Sequence, residues 1–179
     1  RDPHPRVRYA CLVCLAQLCD DLPNGPDGRP FQKQYGSIVL PALVICLAEP
    51  GNQAYPRILS CAALAVSAFA VPHKCTPKVL KPQLEPLLRS LFHLLSTAPL
   101  FVKEDAMTAV AVVAAVAEES FRPFFATFVP IVKVLLGQAT KDSDGTMCLL
   151  GMKALEAFAM MGEAVGREAV WVFPATGTP

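Results

Sequence analysis

The stretch YGSIVLPALVICL, residues 35–47, sets a proline in the middle of an apolar run, and the pattern returns twice further along the chain. LKPQLEPLLRSLF begins at Leu80 and FFATFVPIVKVLL at Phe124. In each, a large apolar residue (Tyr35, Leu80, Phe124) stands six positions before the proline, and Pro41, Pro86 and Pro130 are 45 and 44 residues apart. Apolar residues follow two, five and six positions later: Leu43, Cys46 and Leu47; Leu88, Leu91 and Phe92; Val132, Leu135 and Leu136. That is the spacing of one helix face, held in a single register through three units. Proline costs about 3 kcal/mol inside a helix, so its return at one position predicts a kink shared by the first helix of each unit.

Between these segments run second helical stretches rich in small residues, at 55–71, 102–119 and 146–164, preceded by the turn-like EPGNQ, TAPLF and KDSDG. A period of about 40–47 residues built from helix pairs is that of HEAT or armadillo arrays. No useful length alternates with period two. The expected fold class is therefore all-α: a HEAT-repeat α-solenoid of antiparallel helix pairs stacked in a right-handed superhelix. Such pairs bury their apolar faces only against neighbouring pairs. The expected organisation is one array over 1–179: a second helix of a cut repeat at 1–22, repeats at 31–71, 80–119 and 121–164, and the broken start of a further repeat or a tail at 165–179.

Composition agrees with extensive burial. Apolar residues make up 53% of the chain and charged ones 17%, against roughly 25% charged in an average soluble domain. With 16 Lys and Arg against 15 Asp and Glu, the chain has no overall charge to capture nucleic acid or an anionic membrane, and an electrostatic partner must meet a local patch. A membrane span needs about 20 apolar residues, and the uncharged runs at 58–73 and 106–117 are shorter. No signal-peptide pattern opens the chain.

Seven cysteines, at 11, 14, 19, 46, 61, 75 and 148, are scattered through apolar runs and read as reduced core residues, which points to the cytosol or nucleus. Cys11 and Cys14 have no second pair to complete a four-ligand zinc site. Their spacing places them on the stripe of Leu15 and Leu18, expected to be buried. His4, His73 and His93 lack the partners of a metallohydrolase or nucleophile motif. NGPDG puts prolines where a phosphate loop needs backbone donors. No catalytic, metal or cofactor-binding residue is expected, no cofactor, and no enzyme activity.

DPHPRVRYA, residues 2–10, resembles the turn and second-helix start of a HEAT unit, with Asp2, Pro5, Val7 and Arg8 at the matching positions. The resemblance implies that Asp2 and Arg8 belong to a polar ladder between adjacent turns. HPRVRYA, FQKQYGSIVLPAL running into GNQ, AEESFRPFFATFVPIVK and KALEAFAMMGEAVGRE, spread over 4–168, are together similar to the importin-beta (karyopherin-beta) superfamily of nuclear transport receptors, most of all its karyopherin-beta-3 branch. That resemblance implies a non-catalytic adaptor which shuttles between cytoplasm and nucleus. It implies basic cargo on the concave face, phenylalanine-glycine nucleoporins on the outer face and Ran-GTP bound mostly through regions outside this stretch, with no direct nucleic acid and no membrane insertion. Receptors of the family have roughly 20 units, so the chain is expected to be an internal fragment. A HEAT scaffold subunit of another multiprotein complex is the alternative. Two stretches depart from the pattern: the long turn DDLPNGPDGRP and the ending VWVFPATGTP.

Basic cargo calls for carboxylates on or near the second helices, and Glu104, Asp105, Glu118, Glu119 and Glu156 are the candidates. Glu104 and Asp105 also stand near a helix start, where the dipole favours them. Lys153 and Glu156 are spaced for an intrahelical pair. Phe124, Phe128 and Leu135 continue the core stripe of a first helix. Phe125 points elsewhere and is the candidate exposed aromatic of a nucleoporin pocket.

Overall fold

Proline begins or precedes most of the helices, its missing N–H costing nothing in a first turn. Over the residues described by the computed structural model, 2–22 and 30–166, the α-helices are α1 (Pro5–Asp21), α2 (Phe31–Ala48), α3 (Pro56–Phe69), α4 (Pro77–Leu80), α5 (Leu84–Thr97), α6 (Leu100–Ala117), α7 (Arg122–Ala139) and α8 (Cys148–Val165). They form two layers. In one, termed the inner layer, α1, α3, α6 and α8 stack side by side; in the other, termed the outer layer, α2, α5 and α7 each pack on the helix of the inner layer that follows them.

Small side chains explain why the first layer stacks so closely. Ala62, Ala63, Ala65 and Val66 of α3, and Ala106, Ala109, Val110 and Val113 of α6, are fully buried between neighbours. Gly151 of α8 is there for space: a Cβ would lie 2.8 Å from the Cβ of Ala139, which outweighs the roughly 1 kcal/mol that glycine costs in a helix. The repeat register is visible in the core. Leu43, Leu88 and Val132, each two residues past its proline, are buried, as are Leu47, Leu91 and Leu135.

The prolines themselves differ. Pro41 and Pro130 lie inside α2 and α7, but Pro86 is the third residue of α5, which follows α4 and a 3-10 turn at Lys81–Gln83. Pro77, Pro82 and Pro86 remove three backbone donors within ten residues, so the first helix of the middle unit breaks and restarts instead of kinking.

Lys74, beyond α3, helps tie units together: its Nζ donates to the carbonyls of Cys19 (3.0 Å) and Asp20 (3.2 Å), capping the C-terminal end of α1. Among the described residues one helix, Phe31–Ala48, is long and apolar enough to cross a membrane, with a mean hydropathy of 1.3. Lys33 breaks its uncharged run, and its buried side packs on α3 and α5.

The Cys11 and Cys14 stripe is not buried. Both thiols are exposed, with Leu18 39% exposed, because α1 packs on α3 through Leu12 and Cys19 and leaves its other side open. Burial pushes the Cys19 thiol up to about 11 and the Cys75 thiol up to about 12. Cys11, Cys14 and Cys148 will therefore react first with a thiol reagent at pH 8, while Cys19 and Cys75 react only on unfolding, as mass spectrometry after timed alkylation will read. Raised thiol pKa values mean that the folded state holds these protons longer than the unfolded chain. Their contribution to stability is complete below pH 9 and falls as pH rises from there toward 12. The long turn's residues 23–29, and residues 167–179 with the expected start of a further repeat, lie outside the described residues.

Candidate functional site

On the outer layer, α5 and α7 diverge enough to leave a cleft of about 460 Å³, lined by Leu88, Phe92, His93, Phe124, Thr127 and Phe128 among others. Phe128 is its buried floor. The Phe92 ring meets Phe128 edge-on with centroids 4.9 Å apart, and Phe121 lies 5.7 Å from Phe128 and 6.3 Å from Phe124. Phe92 and Phe124 are half-buried and line the walls. The exposed pair Arg89–Glu85, at 2.7 Å, stands at the rim. Aromatic walls over an aromatic floor accept another ring in offset or edge-to-face geometry, and a site of this volume takes one or two side chains.

Phe125 is not the exposed aromatic. It is 1% exposed, and its ring lies 6.3 Å from that of Phe158 on α8. The side of α7 carrying Phe125 faces the partner helix of its own unit, whereas Phe124 and Phe128, four apart, face α5. Phe124, read from sequence as core, is the residue that borders the cleft. The clue lay in Phe92, which occupies the proline-plus-six position on the helix before.

On the inner layer, a polar row crosses three successive helices. Ser60 Oγ of α3 donates to Asp105 Oδ2 of α6 at 2.5 Å, and Lys153 Nζ of α8 lies 3.9 Å from Asp105 Oδ1. The intervals, 45 and 48 residues, follow the repeat. Asp105 is thus a link between units, its side chain only 18% exposed, and a basic cargo segment would have to compete for it with Lys153. Lys153 reaches across to α6, where an intrahelical pair with Glu156 was expected. Beside Ser60, burial pushes the Cys61 thiol up, an effect that Tyr9 of α1 opposes.

The other candidates are dispersed. Glu104 is half-buried, and Glu156 is exposed on α8. Glu118 and Glu119 are exposed but stand in the 3-10 corner Glu118–Phe121 between layers, with Glu118 at φ 51°. Asp2 and Arg8 close their own turn: Asp2 Oδ1 accepts from His4 N at 2.8 Å, and Arg8 Nη1 donates to the carbonyls of Asp2 (3.0 Å) and Pro3 (2.9 Å). Arg8 reaches the next unit through its guanidinium, 5.9 Å from the Tyr55 ring centroid. Among the described residues no three His, Cys, Asp or Glu side chains come together as a metal site would require.

No established family profile matches the chain. It is 32% identical over 168 residues to importin subunit beta-3 of Saccharomyces cerevisiae, an alignment covering 93% of this chain and 14% of that protein. The crystal structure of Kap121p superposes with a TM-score of 0.80 at 30% identity over 96% of this chain and 15% of its own. Kap121p bound to RanGTP superposes with a TM-score of 0.71 at 31% identity, over 94% and 15%. The two layers are accordingly those of the karyopherin HEAT-repeat solenoid, and the chain spans about one seventh of the length of the relative it matches.

Proposed function

We propose that this chain, which belongs to the importin-beta superfamily, is a protein-binding segment of a nuclear import receptor, with an outer cleft for phenylalanine-glycine nucleoporin repeats and an inner layer for cargo. The observation that carries the reading is the α5–α7 cleft, an aromatic-floored site of about 460 Å³ on the outer layer. A phenyl ring entering it buries apolar area worth about 25 cal/mol per Å², while the glycine beside it lets the peptide backbone approach the rim. Kap121p is known in complex with Nup53p, Ste12p and RanGTP. In the whole receptor Ran-GTP would be met chiefly by regions beyond this stretch, and the protein would pass between cytoplasm and nucleus without catalysing a reaction.

For cargo, the exposed carboxylates Glu156, Glu118 and Glu119 remain the contacts open to a basic segment. Asp105 is not among them, being held by Ser60 and Lys153.

Thr127 provides the test, since it lines the cleft and is exposed. A fluorescein-labelled peptide carrying repeated Phe-Gly pairs, followed by anisotropy, will bind the unmodified chain. It will bind the Thr127→Glu variant about tenfold more weakly, a loss of about 1.4 kcal/mol, with circular dichroism unchanged. Equal affinity for both chains would remove the cleft from the proposal; equal affinity for a peptide with serine in place of phenylalanine would remove the nucleoporin reading.

A further inference from the structure

A second cavity, of about 670 Å³, opens where α1, α3 and α6 begin. Its chemistry is unlike that of the outer cleft. Tyr9, Tyr55 and Phe101 line it with 42%, 45% and 44% of their surface exposed. Arg6 and Arg57, both exposed, line it too, and no carboxylate does. Single exposed aromatics are ordinary on a protein surface; three converging on one cavity, one from each of three successive repeats, form a surface of definite shape. Tyr55 is steadied from outside the cavity by the Arg8 guanidinium.

We propose that this cavity docks an acidic-aromatic peptide segment, with a carboxylate between Arg6 and Arg57 and the neighbouring aromatic or branched side chain among Tyr9, Tyr55 and Phe101. Arginine rather than lysine supplies both cations, and its planar fork pairs a carboxylate through two hydrogen bonds. The chain has 16 basic and 15 acidic residues, so two arginines with no acid beside them are a local excess and not a reflection of general charge. A lysine-rich segment is disfavoured here by like charge. Nucleic acid is disfavoured because its affinity grows with the number of phosphates neutralised along a track, and this cavity offers two cations. Of the carboxylates on the helix of Phe101, Asp105 is engaged with Ser60 and Lys153, and Glu104 is half-buried and does not line the cavity. The inference stands independently of the outer cleft, which lies on the opposite layer.

The probe is a fluorescein-labelled peptide without a Phe-Gly pair, Ser-Asp-Phe-Asp-Leu-Asp-Phe-Ser, titrated with the chain and compared with versions carrying asparagine or lysine for aspartate. The aspartate peptide will bind best and weaken as salt is raised. Arg6→Glu with Arg57→Glu will reduce its affinity at least about tenfold. Arg57→Lys, which keeps the charge but not the fork, will lose part of that, and Thr127→Glu will leave it unchanged. Both arginines are exposed, and circular dichroism will verify that the fold persists. Absence of binding, equal binding of the asparagine or lysine peptide, an unaltered affinity in the double variant, or displacement by an equimolar thymidine oligonucleotide would overturn the proposal.

Discussion

Phe121→Ala will lower the free energy of unfolding by about 3–5 kcal/mol, the range for removing a fully buried aromatic side chain. Phe121 is 0% exposed and sits in the 3-10 corner where the chain leaves α6 for α7. Its ring lies beside those of Phe124 and Phe128, and Phe128 in turn meets Phe92 of α5. One truncation therefore loosens both the corner of its own unit and the interface with the unit before. In a stack held by nearest-neighbour interfaces the loss weakens that junction more than the whole. Urea unfolding followed by circular dichroism will show an earlier midpoint and a transition that loses cooperativity. Phe121→Leu, which retains much of the volume, will recover most of the stability. A change below about 1 kcal/mol for the alanine variant would mean that the corner is not packed as described.

Asp105→Ala is the second large effect, about 2 kcal/mol of destabilisation. Most of it comes from the hydrogen bond accepted from Ser60, since bonds to charged groups contribute about 1.5–3 kcal/mol. The Lys153 pair adds less: at 3.9 Å and partly exposed, it belongs with pairs worth at most about 1 kcal/mol. Loss of Asp105 also leaves Lys153 facing no anion, so Lys153→Met in the Asp105→Ala background will restore part of the stability while costing little by itself. A double-mutant cycle in urea measures that coupling. If Asp105→Ala instead left stability untouched and abolished binding of a lysine-rich peptide, Asp105 would return to the role its sequence position first suggested.

The solenoid was legible because its determinants are local and periodic. Pro41, Pro86 and Pro130 with their apolar followers repeat in register, and that spacing alone places residues such as Leu43, Leu88 and Val132 in the core, where they are buried. The surfaces were less legible, because they depend on which face of a helix meets which neighbour. Phe124 and Phe125 differ by one residue and 100° of rotation. Only the positions of α5 and α8 decide that the first borders a cleft and the second is buried. Cys11 and Cys14 share a stripe, as spacing predicts, but it is the side of α1 that α3 does not cover. Asp105 and Lys153 are 48 residues apart in sequence, and no helical rule within one element brings them together. The cavity of Tyr9, Tyr55 and Phe101 draws one aromatic from each of three repeats, a pattern visible only once the second helices are stacked.

The central claim is that the outer and inner layers carry separate binding surfaces, with the phenylalanine-glycine site between α5 and α7. Fluorine NMR of the chain labelled with 4-fluorophenylalanine, its resonances assigned by single Phe→Leu substitutions, tests this most directly. On addition of the Phe-Gly peptide, the signals of Phe92, Phe124 and Phe128 will shift together, while those of Phe101 in the inner cavity and Phe69 in the core stay in place. A shift at Phe101 with none at Phe124 would contradict the account.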